Sequence, residues 1–427
     1  MIILDNALEE RERNGRPLQL AVIGAGYMAR GILAHILDGP PGIRLAAVCS
    51  RRPEAAAELL STVAVEPVST DSAESLERAV AVGKIALTQD PSVVCAAASI
   101  DVVIETTGEI EYGARFCLNA IESRKHVVLV NAELDATVGP ILASYARRGG
   151  TVLTNTDGDE PGVVLNLLRY VRSIGLHPLL AGNIKGFLDH SRTPETQREF
   201  AESVGQRPEM VTSFADGTKL AMEATLVANA TGFTVLRRGM TGFRVDHVGD
   251  VLGQVEDSQL VRTEGAVDFV LGASPGSGAF VVGRTENPLK REYLRYFKMG
   301  DGPLYVFYQP WHLPQADAPL TAARAALFLD AAVSPRGAAV CEVVAIAKRD
   351  LQAGEEVDAI GGFTVYGVIE RADIAANEDL LPIGVAIGCA LRRDVAANTA
   401  LTYSDVEIPP GRLVDRLRDE QRSQLAP

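Results

Sequence analysis

No apolar stretch in this chain approaches the roughly 20 residues needed to span a bilayer. Its first sixteen residues, Met1 to Arg16, are charged and hold no apolar signal core. The expectation is a cytoplasmic protein with no membrane partner. Cysteine is scarce and unpaired: Cys49, Cys95, Cys117, Cys341 and Cys389 form no CxxC pair and sit among apolar neighbours. Buried free thiols are therefore expected, not a disulfide framework. The six histidines show no paired metal spacing. Positive charge is in deficit too, 41 basic against 55 acidic residues for a net of −14, which argues against nucleic acid or an anionic surface as the main partner. What is present is ordinary: 427 residues, 47% hydrophobic and 22% charged, enough for a large core and about three domains.

The most informative stretch is LQLAVIGAGYMARG, residues 18–31, which reads as a strand running into a glycine turn and a helix. Gly24 takes the tight turn, and Gly26 lets a pyrophosphate approach the backbone. Tyr27 and Met28 open the helix beside them, and Ala29 or Gly31 lets it pack close to the sheet. Backbone N–H groups at the helix start would face the phosphates. The alternative is a tight strand–helix turn with no ligand.

Apolar runs at Leu18–Ile23, Leu45–Cys49, Val102–Glu105, Val127–Val130 and Thr151–Leu153 alternate with helical patterns such as Tyr112–Glu122 and Thr137–Arg147. This is the pattern of an α/β, doubly wound parallel sheet of Rossmann type, placed at residues 1–156. Within it the segment Ser61–Ala98 exceeds an ordinary crossover, and Asp71–Gly83 reads as an inserted helix, either surface elaboration or a flap or oligomer contact. From 157 to 335 helical patterns (Glu160–Ile174, Thr218–Ala230, Pro319–Asp330) mix with strand-like runs (Ala266–Leu271, Ala279–Arg284, Leu304–Tyr308), as in an α+β substrate domain. Residues 336–411 hold an internal echo. AKRDLQAGE (347–355) is answered by ALRRDVAANTA (390–400), each a strand leading through an aspartate (Asp350, Asp394) to a turn with a small flexible residue, Gly354 or Asn398. Two copies make a small β-rich module, not a solenoid. Residues 412–427 form a charged tail, expected to be frayed or peripheral.

Several strand ends carry chemistry. After the second strand come Ser50, Arg51 and Arg52, where an NAD site would place an acidic side chain on the ribose 2′-hydroxyl. Two guanidinium groups and a hydroxyl suit a 2′-phosphate, so NADP or NADPH is expected. Glu105-Thr106-Thr107-Gly108 and Val130-Asn131-Ala132-Glu133 close two further strands, where they either cap helices or face the nicotinamide half of the coenzyme. Asp157, Asp159 and Glu160 put three carboxylates within four residues, which demands a compensating cation, helix end or solvent. Pro161 makes Asp159 or Glu160 an N-cap candidate, and the other reading is that these acids orient substrate hydroxyls or a divalent ion such as Mg or Mn. Lys185, in GNIKGF (182–187), and Lys219, in DGTK (216–219), are either solvated lysines or the proton donor beside a carbonyl.

On these residues the N-terminal half resembles homoserine dehydrogenase, through GAGYMARG, the ETTG strand end and NAELDATVGP. AKRDLQAGEEVDAIG and ALRRDVAANTALTYSDVEI resemble a SAF-type domain. The combination is similar to the second-type 1-deoxy-D-xylulose 5-phosphate reductoisomerase-like proteins, across GDEP (158–161), FADGTK (214–219), ANATG (228–232) and PLTAAR (319–324). Where homoserine dehydrogenases carry a lysine after the Asn-containing strand end, Glu133 follows Asn131-Ala132. The reductoisomerase-like proteins carry basic residues near positions 301 and 309, where this chain has fewer cations; Arg244 and Lys298 remain available for substrate. The resemblance implies an NADP-dependent oxidoreductase or reductoisomerase. Its small polyhydroxylated carbonyl substrate, deoxyxylulose phosphate-like or an unphosphorylated relative, would lie in the cleft between the first two domains. Lys185 would donate the proton, with Lys219 second. Asp159, Glu160 and Glu133 would orient hydroxyls or metal, and Asp157 would contact substrate. A homo-oligomer is the expected assembly. The rival readings are a homoserine- or amino-aldehyde-type dehydrogenase and a non-enzymatic cofactor- or carbohydrate-binding protein.

Overall fold

Seven runs of aliphatic and β-branched residues build the first sheet. They are β1 (Leu18–Ile23), β2 (Ile43–Cys49), β3 (Val68–Ser69), β4 (Ala86–Thr88), β5 (Val102–Glu105), β6 (His126–Leu129) and β7 (Leu153–Asn155). A computed structural model describes residues 2–256, 260 and 264–425. Every pairing in this sheet is parallel, in the order β3-β4-β2-β1-β5-β6-β7. Parallel strands covered on both faces carry continuous apolar runs, and β1, β5 and β6 are buried almost throughout. The long Ser61–Ala98 segment adds β3 and β4 to one side of the sheet, with a helix at Ala73–Ala81.

The chain forms two compact units. The first joins the residues up to Asp159 to Leu313–Ser334 and Arg416–Gln424. Its core sets Leu20, Val22, Val48 and Ile104 against the helix Tyr27–Leu37 and against Ala318, Ala322 and Ala323 of the helix Pro314–Phe328. That second helix corrects the expected boundaries: a helical pattern assigned to the middle domain covers the dinucleotide sheet instead. Gly31 is corrected with it. Ala29 is the residue buried in this core, whereas a Cβ on Gly31 would meet Gln315 Cγ at 2.6 Å. Gly31 therefore admits the returning helix and does not serve the sheet. Nor is the tail frayed. It forms a helix, Leu413–Gln424, whose Arg418 is 3% exposed and donates to the Thr137 carbonyl.

The second unit centres on a five-stranded sheet ordered β12-β11-β8-β10-β9. Here β8 is His177–Lys185, β9 Phe243–Arg244, β10 Ala266–Leu271, β11 Ala279–Arg284 and β12 Leu304–Gln309. Strands β8, β10 and β9 run parallel, so Lys185, Leu271 and Arg244 align at one edge. The helix Thr218–Thr231 is buried at all fourteen positions, including the charged Lys219 and Glu223. A hairpin of β13 (Cys341–Ala347) and β14 (Val365–Arg371) belongs to the same unit. Beyond it the two echoed segments pair through Leu351 and Val395. Asp350 accepts from the Ala397 N–H at 2.8 Å and Asp394 from the Ala353 N–H at 2.9 Å, so each copy caps the other's turn.

Candidate functional site

The carboxyl edge of the first sheet gathers the turn residues. Gly24 has φ +117°, and a Cβ there would lie 2.5 Å from the Thr106 hydroxyl, so only glycine fits. Gly26 caps the helix Tyr27–Leu37 in an extended conformation, offers no side-chain cap and has no atom within 4 Å of where a Cβ would be. The first N–H groups of an 11-residue helix thus receive no side-chain cap from this residue. Tyr27 is exposed there, and Met28 Sδ contacts Gln315.

The neighbouring strand ends are more inward than the sequence implied. Thr106 donates its hydroxyl to the Ile23 carbonyl at 2.8 Å, tying β5 to β1. Thr107 gives both its N–H and its hydroxyl to Glu105, and Gly108 turns the chain at φ +69°. Asn131 spends its carbonyl oxygen on the Leu134 N–H, capping the next helix, and its amide on Glu105 at 2.8 Å. Both named uses of Asn131 are internal. Glu105 is fully buried; burial pushes its carboxyl up against the pull of the Thr107 and Asn131 hydrogen bonds, and the Glu133 charge adds to the rise. At the end of β2, Ser50 bonds back to the Arg52 backbone, and the chain closing the strand, Ser50-Arg51-Arg52, contains no acid. Arg51 and Arg52 are exposed, with the Arg51 guanidinium 5.4 Å from the Tyr112 ring centroid. These features fit a nicotinamide dinucleotide.

Two acids flank β7. Asp157 pairs with Arg324 at 2.5 Å, which answers the crowding of carboxylates anticipated there. Asp159 is half-buried and precedes the helix Glu160–Ser173. Asp135, bonded to the Asn155 amide, is pushed up to about 7 by burial. A carboxyl raised above its unfolded value of about 3.9 contributes stability below that pH and loses it as pH climbs through 7. Melting temperature should therefore fall between about pH 4 and 7. Asp135→Asn, isosteric with the neutral acid, should flatten that slope. An unchanged slope in a pH series of thermal melts would reject the assignment.

In the second unit Glu160, 2% exposed, accepts from Lys185 Nζ at 3.0 Å and from the Asn183 amide at 2.8 Å. The same amide donates to Glu223 at 2.8 Å, and Lys185 Nζ lies 3.8 Å from that carboxylate. His312 Nδ1 stands 3.9 Å from the other Glu160 oxygen. Burial pushes the Glu160 carboxyl up, but the Lys185 charge and the hydrogen bonds it accepts outweigh this and hold it below its ordinary value. Lys219, buried, is four residues before Glu223 on one helix and so shares its face.

Sequence reasoning missed Asn183, Glu223 and His312. The first two carried a signal: Asn183 is two residues from Lys185 on one strand, and Glu223 four from Lys219 on one helix. Glu133 and Asp159 belong to the first unit and Glu160 to the second. Arg244 stays a candidate, aligned with Lys185 through Leu271 and roughly 10 Å away across two strands. Lys298 does not. It follows the helix Pro288–Tyr296, whose Lys290 binds the carbonyls of Ile174 and Gly175 ahead of β8, roughly 25 Å along that strand from Lys185. Among the described residues no three His, Cys, Asp or Glu are gathered to hold a metal ion.

Residues 24–154 match the family model of the homoserine dehydrogenase NAD-binding domain, and residues 158–318 that of the oxidoreductase DRL catalytic domain. The chain is accordingly an oxidoreductase with a nicotinamide-dinucleotide-binding domain. No curated protein matches it. Solved structures similar to it include a homoserine dehydrogenase from Thiobacillus denitrificans, 16% identical over 72% of this chain and 73% of that one, with a TM-score of 0.41. DOX-P reductoisomerase in complex with NADPH, fosmidomycin and magnesium is 16% identical over 49% and 57%, TM-score 0.32. Scyllo-inositol dehydrogenase from Lactobacillus casei, with NAD(H) and scyllo-inositol bound, is 11% identical over 68% and 69%, TM-score 0.33.

Proposed function

We propose that this oxidoreductase uses NADP and acts on a small polyhydroxylated carbonyl or carbinol compound that carries no phosphate. The observation that carries the reading is the buried set Glu160–Lys185–Asn183–Glu223: two carboxylates share one ammonium and one amide. Such a set matches hydroxyls, which donate to carboxylates and accept from an ammonium. A phosphate dianion touching it would face two buried acids of its own sign.

When bound, the coenzyme supplies or receives the hydride; Gly24, Gly26 and the start of the Tyr27–Leu37 helix would hold its pyrophosphate, and Arg51 and Arg52 its 2′-phosphate. Lys185 holds a proton at Nζ and delivers it to the substrate oxygen as charge develops there. Glu160 fixes the position of that ammonium, and Asn183 donates to both carboxylates and orients them. Arg244, at the same edge, receives a carboxylate or other anionic end of the substrate.

The test is coenzyme turnover over paired phosphorylated and unphosphorylated hydroxyketones and polyols, each with Mg²⁺, with Mn²⁺ and with a chelator. Turnover of an unphosphorylated member is expected. Turnover confined to phosphorylated ketoses overturns the reading. A second reading has one observation in its favour: two carboxylates against one lysine would also receive a substrate ammonium, so amino hydroxy acids belong in the panel.

Gly24→Ala should weaken NADPH binding by about tenfold or more, since strain at φ +117° and collision with the Thr106 hydroxyl displace the turn. A fluorescence titration giving the wild-type Kd would count against this placement of the pyrophosphate.

A further inference from the structure

We propose that the C-terminal β13–β14 hairpin positions the substrate-side residues, with Lys348 as the positioning residue. The inference rests on the reading of Lys185 and Lys219 given above.

Lys348 follows β13 with its side chain 3% exposed. Its ammonium lies 2.8 Å from Asp216 Oδ2 and donates to the carbonyls of Arg192 and Gly362, both at 2.7 Å. Two carbonyls take its hydrogen bonds and the carboxylate its charge. Each acceptor on the substrate side leads to the proposed site. Asp216, fully buried, takes the Thr218 N–H on its other oxygen at 2.8 Å, at the start of the helix that bears Lys219 and Glu223. Arg192 belongs to the loop that leaves β8 directly after Lys185.

The hairpin grips the same two segments again from β14. The Gly367 N–H donates to the Thr218 hydroxyl at 2.8 Å. Tyr366 stacks on His190 of the loop, with ring centroids 4.4 Å apart and planes inclined by 17°. His190 Nδ1 in turn lies 2.6 Å from the Asp216 carbonyl. One two-stranded element therefore fixes the loop after Lys185 and the first turn under Lys219.

Stability alone is a poor reason for this arrangement. A buried ion pair loses in desolvation much of what it gains in attraction, and a well-packed apolar pair of similar volume often does as well. What an ammonium held by two carbonyls and one carboxylate adds is geometry. Misplacement of a catalytic group by about 1 Å can cost about 10²-fold in rate.

Two variants separate geometry from stability. Lys348→Met leaves Asp216 buried without its ammonium and should lower the melting temperature by about 10 °C. Lys348→Met/Asp216→Asn removes the lone charge and should recover most of that loss. In both, kcat on the best wild-type substrate should stay about 10²-fold low, with KM and the NADPH Kd changed less than about threefold. Amide exchange should quicken in segments 186–193 and 216–220 and not in β8. Recovery of kcat together with melting temperature in the double variant, or unchanged exchange in those segments, overturns the proposal. If the wild-type enzyme turns over nothing in the panel, the reading of the site fails separately, and the exchange measurement alone decides the role of the hairpin.

Discussion

Lys185→Met should lower kcat by about 10³-fold while the NADPH Kd stays within about twofold. The ammonium is bonded to Glu160 and lies within 4 Å of Glu223. Its loss removes the proton donor and leaves two buried acids facing each other across Asn183. The coenzyme turn and the arginine pair belong to the other unit, which is why binding should survive. The substitution also has a pH signature. In the wild type Glu160 is held below its ordinary value, so it contributes stability above an unfolded pKa of about 4.3, lost as pH falls through the lower folded value. In Lys185→Met the burial that opposes ionisation is left without its main counterweight, and the folded value rises. The contribution then reverses: it is present at low pH and lost as pH rises through the new folded value. Paired melts at about pH 4 and 8 read the reversal directly. A variant that keeps near-normal kcat would remove Lys185 from the chemistry.

Arg51→Ala/Arg52→Ala should raise the NADPH Kd by about 10²-fold and leave the NADH Kd nearly unchanged. The chain closing β2, Ser50-Arg51-Arg52, has no acid to bind a 2′-hydroxyl, and its serine is bonded back to the Arg52 backbone. Each charge-assisted hydrogen bond to phosphate is worth about 1.5–3 kcal/mol, so loss of one from each arginine reaches the stated ratio even after solvent screening at exposed positions. Ser50→Asp should act from the opposite side, adding the acceptor that a 2′-hydroxyl uses and repelling a phosphate. Equal losses for the two coenzymes would show that these arginines do not read the 2′ position.

The strands were readable where composition alone decides them. Leu18–Ile23, Val102–Glu105, Ala266–Leu271 and Ala279–Arg284 fall at their sequence-read limits because each is a mainly apolar run closed by a glycine or polar residue. The echoed aspartates were readable as turns too, since Gly354 and Asn398 both adopt left-handed conformations, φ +85° and +60°. Partnership was not readable. The Pro314–Phe328 helix shows an apolar stripe, but a stripe does not say which sheet it covers. Lys298 looked as available as Arg244 until strand direction put it at the opposite edge from Lys185. Asn183 and Glu223 lay one strand step and one helical turn from lysines already singled out, so a face-by-face reading would have reached them. His312 gave no such sign.

The crossed capping of Asp350 and Asp394 makes the two halves of the terminal module obligate companions. Each bend is completed from outside itself, because one acceptor in each is borrowed from its counterpart. A truncation beyond residue 390 would strip both turns at once, so this module gains its order in a single step, and proteolysis there should yield either the intact piece or none.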